Sequence, residues 1–340
     1  MIEVHPKVTV LMPVYNCSQY VGDTITSILG QTFADFEFLI IDDASTDDTV
    51  AVIKSFKDER ICLIEKPKNT GYTNSLNYGL TIAKGVYIAR MDGDDISLPE
   101  RFAKQVSYMD AHLEVVACGT TYSIMGSGQI KKVPIHHGDI KVQLLKKTCF
   151  GHPTVMMRKA IFDRFEIRYN PSTEPAEDYD LWVRLLAYGE FYNLPEVLLL
   201  YRVHDSQVSV KKAKQKFENY YKIKRSILNY LDVSLTNEEE TTLDRIIFRQ
   251  VIAYNEFEVF KSIKEKLLFA NQKGVFKASG FYNYINEMTH LLCKDYFLHR
   301  KAYFPKLIPH YVAINRSFGF RLSPLDTIKL IVKSLISYSK

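Results

Sequence analysis

The first part of the chain alternates between short apolar runs and amphipathic stretches at nearly even spacing. Val8–Val14, Phe36–Ile41, Ile61–Ile64 and Val86–Ala89 are apolar runs of strand length. Between them Val21–Leu29, Asp47–Phe56 and Asn74–Ala83 carry apolar residues at helical spacing. Ser45 followed by Asp48 reads as a capping box for the second of these helices, while Gly30 and Gly85 close the first and third. Strands alternating with helices predict βαβ units and a doubly wound, mostly parallel α/β sheet covered on both faces. Further on, Glu114–Arg202 mixes short strands with the helix-like DYDLWVRLLAYG, and from about Lys211 only helical spacing remains. The pattern predicts an α/β domain over residues 1–210, divided into halves 1–110 and 111–210. A mainly helical extension over 211–340 follows it.

Composition sharpens this picture in two places. With 340 residues, 46% hydrophobic and 24% charged, the chain can build one large core and a smaller one. No run reaches the roughly 18 apolar residues that a membrane span needs, and Met1–Lys7 does not resemble a secretory leader. The five cysteines are odd in number and unpaired in spacing, which argues against a disulfide framework or a zinc site and for a reducing, cytoplasmic setting. Charge is divided unevenly: residues 1–210 hold 21 Lys and Arg against 27 Asp and Glu, whereas 211–340 hold 23 against 12. A basic half of this kind points to an anionic partner or to a solvated lysine-rich face. At its end Ser323, Pro324 and Asp326 open a helix that puts Ile328, Ile331, Val332, Leu335 and Ile336 on one face, with Lys329, Lys333 and Lys340 mostly elsewhere. Such a helix suits an anionic membrane surface; the alternative is packing on its own domain or on a second copy.

In an open parallel sheet, ligands bind beyond the carboxyl ends of the strands. Those ends carry Pro13-Val14-Tyr15-Asn16, Asp42-Asp43-Ala44-Ser45 and Asp92-Gly93-Asp94-Asp95. So many carboxylates on one rim repel unless a cation compensates them. The spacing of Asp92 and Asp94 lets both reach a hard cation, Mg²⁺ or Mn²⁺, that can also grip two phosphates. Asp47 and Asp48 read instead as caps and turn residues. Neither G-x-G-x-x-G after the first strand nor G-x-x-x-x-G-K-[ST] occurs, which argues against a dinucleotide oxidoreductase and a P-loop enzyme.

The order VTVLMPVYN, FLIIDDASTDDT, NTGYTNSLNYGL, YIARMDGDD and AEDYDLWVRL resembles the family 2 inverting glycosyltransferases of GT-A fold, over roughly residues 6–210. The resemblance implies a nucleoside diphosphate sugar donor, usually a UDP-sugar, and a divalent metal. By motif position it places Pro13 and Tyr15 in the base pocket, Asp43 on the uracil edge, and Asn69 and Gly71 in a loop near the nucleotide. Asp92 then contacts the ribose side and Asp94 holds the metal, with His204 as a further ligand. Asp178 matches the general base, with Glu177 as its alternate, and Asn77 reads as structural. Trp182 and His152 are candidates for the acceptor cleft, Trp182 equally for the core.

An inverting transfer needs such a base, because the acceptor hydroxyl must lose its proton as it attacks. The family context further implies a glycan or lipid-linked acceptor in surface-polysaccharide synthesis. That suggests a cytoplasmic enzyme, peripheral at the inner face of the cell membrane, with an oligomer left open. Two rivals are weaker. A nucleotidyltransferase would need a basic loop where PVYNCSQY has none, and a non-catalytic glycan-binding scaffold would have no use for Asp92, Asp94 and Asp178 together. No nucleic-acid-binding module is recognisable.

Overall fold

The structure, a computed structural model, describes residues 5–204, 213–299 and 302–338. The chain divides into two compact units, residues 1–223 and 224–340.

The first unit is built on one mixed sheet. Its early part follows the apolar runs: β1 (Val8–Val14), β2 (Phe36–Asp42), β3 (Ile61–Glu65) and β4 (Tyr87–Arg90) pair in parallel in the order β3-β2-β1-β4. All seven residues of β1 are buried, as a central strand covered on both faces requires. The covering helices are α1 (Ser18–Leu29), α2 (Thr49–Ser55), α3 (Tyr72–Ile82) and α4 (Arg101–Ala111). Beyond β4 the sheet continues through β8 (Met156–Arg158), β6 (Val115–Ile124), β9 (Glu190–Tyr201) and β5 (Ile96–Ser97), with β7 (Ile130–Lys131) on the side of β6. There β8 runs antiparallel to both neighbours, β6 and β9 run parallel to each other, and β5 runs antiparallel to β9. The expected parallel order therefore describes the first half of the sheet, and an antiparallel strand joins it to the second half. Three helices, α5 (His137–Leu144), α6 (Lys159–Arg164) and α7 (Glu177–Leu185), complete that half.

Two local expectations change. No Ser45–Asp48 capping box forms. Helix α2 starts at Thr49, and the Asp47 carboxylate accepts hydrogen bonds from the Thr49 backbone N–H at 2.9 Å and from Ser18 N at 3.2 Å. Asp47 thus satisfies orphan donors of two helices, and these bonds overcome the opposing effect of burial to hold its carboxyl at about 2. Gly85 does not cap α3, which ends at Ile82. It lies where the backbone presses onto β1: its N–H donates to Thr9 Oγ1 at 2.8 Å, and a Cβ there would meet Thr9 N at 2.3 Å.

The second unit is helical throughout its described residues. After α8 (Ala213–Ile227), within which the division falls, come α9 (Asn237–Ile247), α10 (Glu256–Ala270), α11 (Ala278–Leu298), α12 (Leu307–Phe318) and α13 (Pro324–Leu335). Helix α13 starts as the sequence predicts, with the Ser323 hydroxyl accepting from Asp326 N at 3.1 Å. Its core contacts come from Leu330 and Ser334, while the predicted apolar face is open, with Ile328 59% and Leu335 65% exposed. No helix among the described residues is long and apolar enough to cross a membrane.

Candidate functional site

The carboxyl ends of β1, β2 and β4 meet on one rim. The loops after β1 and β2 are laced together: Asn16 Oδ1 accepts from Thr46 N at 2.8 Å, and Thr49 Oγ1 accepts from Cys17 N at 2.8 Å. Pro13 is buried in β1 beyond the last residue that β1 shares with β4, so its missing N–H leaves no gap in that ladder. Tyr15, just past the strand, is 49% exposed and open to a planar partner.

Asp43 is only 2% exposed and already engaged. Its carboxylate accepts from Lys66 Nζ at 2.5 Å, Thr70 N at 3.0 Å and Gly71 N at 2.8 Å. Burial opposes the charge, but these donors hold the carboxyl below its usual range. Asn69 Oδ1 accepts from the same Gly71 N–H at 3.1 Å, and Gly71 sits at φ +90°, where glycine avoids the strain of a side chain. Asp43 therefore braces the 69–71 loop against the rim.

The turn after β4 holds the acidic group. One ligand atom from each of Asp92, Asp94 and Asp95 lies within 4.8 Å of the others, the one such cluster among the described residues. Glycine suits position 93 because a Cβ there would meet Val14 Cγ1 at 3.0 Å. The end of β9 pins the turn: Arg202 N donates to Asp95 Oδ1 at 2.8 Å and Arg202 Nε to the Asp94 carbonyl at 2.7 Å. Two residues on, His204 Nε2 stands 2.8 Å from Asp94 Oδ2, with its ring centroid 5.0 Å from that of Tyr20. Burial, then the Asp92 charge, raises the Asp94 carboxyl above its usual range, with His204 drawing it back. Asp95 is raised further by burial and by both neighbours, and its Oδ2 is buried without a hydrogen-bond partner. Repelling hard oxygens, an orphaned buried carboxylate oxygen and an imidazole are a donor set that fits Mg²⁺ or Mn²⁺.

Arg90 is buried and forms an ion pair with Asp92; burial pulls its guanidinium down, but the charge and hydrogen bond of Asp92 together with Tyr169 and Glu177 raise it overall. Its charge also reaches a second acidic pair, Glu177 and Asp178 at the start of α7. Glu177 is 4% exposed and takes a hydrogen bond from the Tyr72 hydroxyl at 2.6 Å. Burial, then the neighbouring Asp178, pushes it up to about 8, so it holds a proton at neutral pH. Asp178 is less enclosed, and Thr148 Oγ1 donates to its Oδ2 at 3.2 Å. Burial raises its carboxyl too, countered by the Tyr179 backbone N–H and by Lys216. Of the pair, Asp178 is the member suited to carry the negative charge.

The remaining candidates move inward. Trp182 is fully buried, edge-on to Phe150 at 5.1 Å and to His152 at 5.9 Å, so it has no open face for a sugar and belongs to the core. His152 is nearly buried, within 2.9 Å of the Tyr169 hydroxyl and 3.8 Å of Glu177 Oε1. Burial, then Arg90, lowers its ring well below the ordinary histidine range, so it meets Glu177 as a neutral group. It stands beside Glu177 at the inner end of this acidic pair. Asn77 clamps the Tyr169 backbone, donating to its carbonyl at 2.9 Å and accepting from its N–H at 2.8 Å. Sequence reasoning missed Arg90, Tyr72 and Arg202, and placed Asp95 only among the rim carboxylates. The signal for Arg90 was a lone charge inside the apolar strand YIAR.

Residues 9–165 match the sequence profile of Glycosyl transferase family 2. The O-antigen biosynthesis glycosyltransferase WbnJ of Escherichia coli is 35% identical over 240 residues, covering 66% of this chain and 92% of WbnJ. The Escherichia coli UDP-Glc:alpha-D-GlcNAc-diphosphoundecaprenol beta-1,3-glucosyltransferase WfaP is 33% identical over 210 residues, covering 61% of this chain and 82% of WfaP. Among solved structures, the mannosyltransferase PcManGT of Pyrobaculum calidifontis, in complex with GDP-Man and Mn²⁺, shares the fold with a TM-score of 0.54 at 15% identity. That match covers 98% of this chain and 88% of PcManGT.

Proposed function

The chain belongs to glycosyl transferase family 2 and is a glycosyltransferase of polysaccharide biosynthesis, and from that premise we propose that it transfers a hexose from a UDP-sugar, with inversion and with the help of a divalent cation. The acceptor is a hydroxyl of a glycan or lipid-linked oligosaccharide, reached at the cytoplasmic face of the membrane. The observation that carries the reading is the presence of two acidic groups, both raised by burial, within the field of one buried arginine. One is the tight Asp92–Asp94–Asp95 cluster with His204 against it, and the other is Glu177–Asp178, with Arg90 between their fields. The name of WfaP, with its UDP-Glc donor and diphosphoundecaprenol acceptor, supports the choice of donor base and acceptor class.

Asp94 and His204, with Asp92 beside them, would hold Mg²⁺ or Mn²⁺, which supplies positive charge against the donor's diphosphate. Tyr15 offers a face to the base, and the loop at Asn69 and Gly71, braced by Asp43, closes that side. Asp178 accepts the proton of the acceptor hydroxyl while its oxygen attacks C1 of the donor sugar. The bond from C1 to the diphosphate oxygen breaks, the nucleoside diphosphate leaves with the bonding pair, and C1 inverts. Buried Glu177, kept protonated, leaves Asp178 as the ionised member of the pair, able to take a proton at neutral pH.

Asp178→Asn tests this directly, because it keeps size and hydrogen bonding and removes the proton acceptor. Transfer should fall about 10²-fold or more while UDP-sugar affinity stays within a few-fold of wild type, measured by turnover and by calorimetric titration. A variant that turns over at the wild-type rate would remove Asp178 from the reaction.

A further inference from the structure

Within residues 224–340, α11 and α13 flank a cleft of about 280 Å³ lined among others by Lys294, His299, Tyr303, Lys329 and Lys333, with Asp326 as its one acidic group. The Asp326 carboxylate is partly committed, accepting the hydroxyl of Ser323 at 2.9 Å and standing 3.8 Å from Lys329 Nζ. His299 leans on Asp295 at 2.7 Å, but Arg249 binds that same carboxylate with two bonds at 2.7 and 2.9 Å. Asp295 therefore adds little negative charge to the cleft. Lys333 Nζ lies over the rings of Tyr303 and Tyr338, at 5.0 and 5.3 Å from their centroids. The cleft is cationic and fits an anion.

What adjoins it decides which anion. At about 100° per residue, Leu325, Ile328, Ile331, Val332, Leu335 and Ile336 fall on one continuous arc of α13. Lys329 and Lys333 follow at the border of that arc, and the core-facing Leu330 and Ser334 come after them. The arc is open to solvent: Leu325 is 71%, Ile328 59%, Val332 51% and Leu335 65% exposed. Single exposed leucines are ordinary, but a continuous apolar arc beside three lysines is not. A soluble phosphate would satisfy the lysines and leave the arc in water. A protein partner of apolar character would cover the arc and leave the lysines unused.

We infer that this edge of the helical unit docks on anionic lipid. The cleft takes a headgroup phosphate between Lys294, Lys329 and Lys333, and the apolar arc of α13 sinks into the boundary between headgroups and acyl chains. The inference deepens the proposed lipid-linked acceptor: docking confines the enzyme to the surface where such an acceptor lies and raises its effective concentration.

The test is co-sedimentation of the full chain with phosphatidylcholine vesicles, with and without phosphatidylglycerol, at low and physiological salt. Binding should require phosphatidylglycerol and weaken as salt rises. The triple variant Lys294→Ala, Lys329→Ala, Lys333→Ala should lose on the order of tenfold or more in vesicle affinity. Ile328→Ser with Leu335→Ser should lose binding at every salt concentration. Because both apolar residues are exposed, that variant also reports on docking should the lysine variant fail to fold. UDP affinity, measured in parallel, should not change in either variant, so failure of the docking surface is told apart from failure of the donor site. Three results would overturn the inference: wild-type binding equal on both vesicle types, variants that bind as wild type, or full displacement by millimolar glycerol phosphate. A change of oligomeric mass in the apolar variant in place of lost vesicle binding would likewise overturn it and make the arc a contact between copies.

Discussion

At the scale of single residues, the site is arranged by the environments of chemically identical groups. Besides Asp92, six carboxyls of the site are set in three ways. Asp47 and Asp43 are held ionised by donors, Asp94 and Asp95 are raised by burial and by the Asp92 charge, and Glu177 is sealed and protonated beside the more open Asp178. For Glu177 the sign of the pH dependence follows. Its folded-state value of about 8 lies above the ordinary 4.5, so the stability it contributes is fully present below about 4.5 and is lost as pH rises through about 8. Glu177→Gln mimics the protonated form permanently. Thermal melts should show wild type losing more stability than this variant between those two pH values, and turnover near neutral pH should stay within a few-fold. Parallel pH curves for the two proteins would show that Glu177 does not ionise in this range. Asp92 and Asp94 stand out in the chain by their D-x-D spacing, whereas Asp178 and His204 are singled out only through the family resemblance; the structure brings His204 within 2.8 Å of Asp94. The placement of Trp182 and His152 was not legible, because a ring on a helix or in a loop shows nothing in sequence of which way it faces.

At the scale of elements, the parallel part of the sheet was readable because its strands are continuous apolar runs, as burial on both faces demands. The second half was not. The long strand β6 reads VVACGTTYSI, with Gly119 and threonines diluting the pattern, and β9 carries Pro195 and Glu196 in its middle. Gly119 is required there by close packing, since a Cβ would meet Asn193 Oδ1 at 2.2 Å. The capping box at Ser45 failed because both of its groups are engaged elsewhere: the Ser45 hydroxyl accepts from Asn16 N at 3.0 Å and the Ser45 N–H donates to Asp42 Oδ2 at 3.0 Å. Gly85 offers a test at this scale. Gly85→Ala would drive a methyl group into the β1 backbone, and overpacking of this kind costs about 1–3 kcal/mol. A melting temperature lowered by several degrees, with UDP affinity unchanged, is the expected outcome. An unchanged melting temperature would mean that the β1–β4 layer can yield at that point.

At the scale of the whole molecule, chemistry and charge are divided along the chain. Every group assigned to the donor lies before residue 205, in the acidic part, while residues 211–340 hold 23 Lys and Arg against 12 Asp and Glu. The charge division was legible by counting. Its surface expression at Lys294, Lys329 and Lys333 was not, because Lys294 is remote in sequence from α13. The central claim is that the acidic turn after β4 binds a nucleoside diphosphate through a divalent cation. Calorimetric titration of UDP into wild type and Asp94→Ala, each in Mn²⁺ and in EDTA, tests it most directly. Wild type should bind at least about tenfold more tightly in Mn²⁺ than in EDTA, while Asp94→Ala binds weakly and equally in both. Equal affinity of wild type and variant in Mn²⁺ would contradict the account.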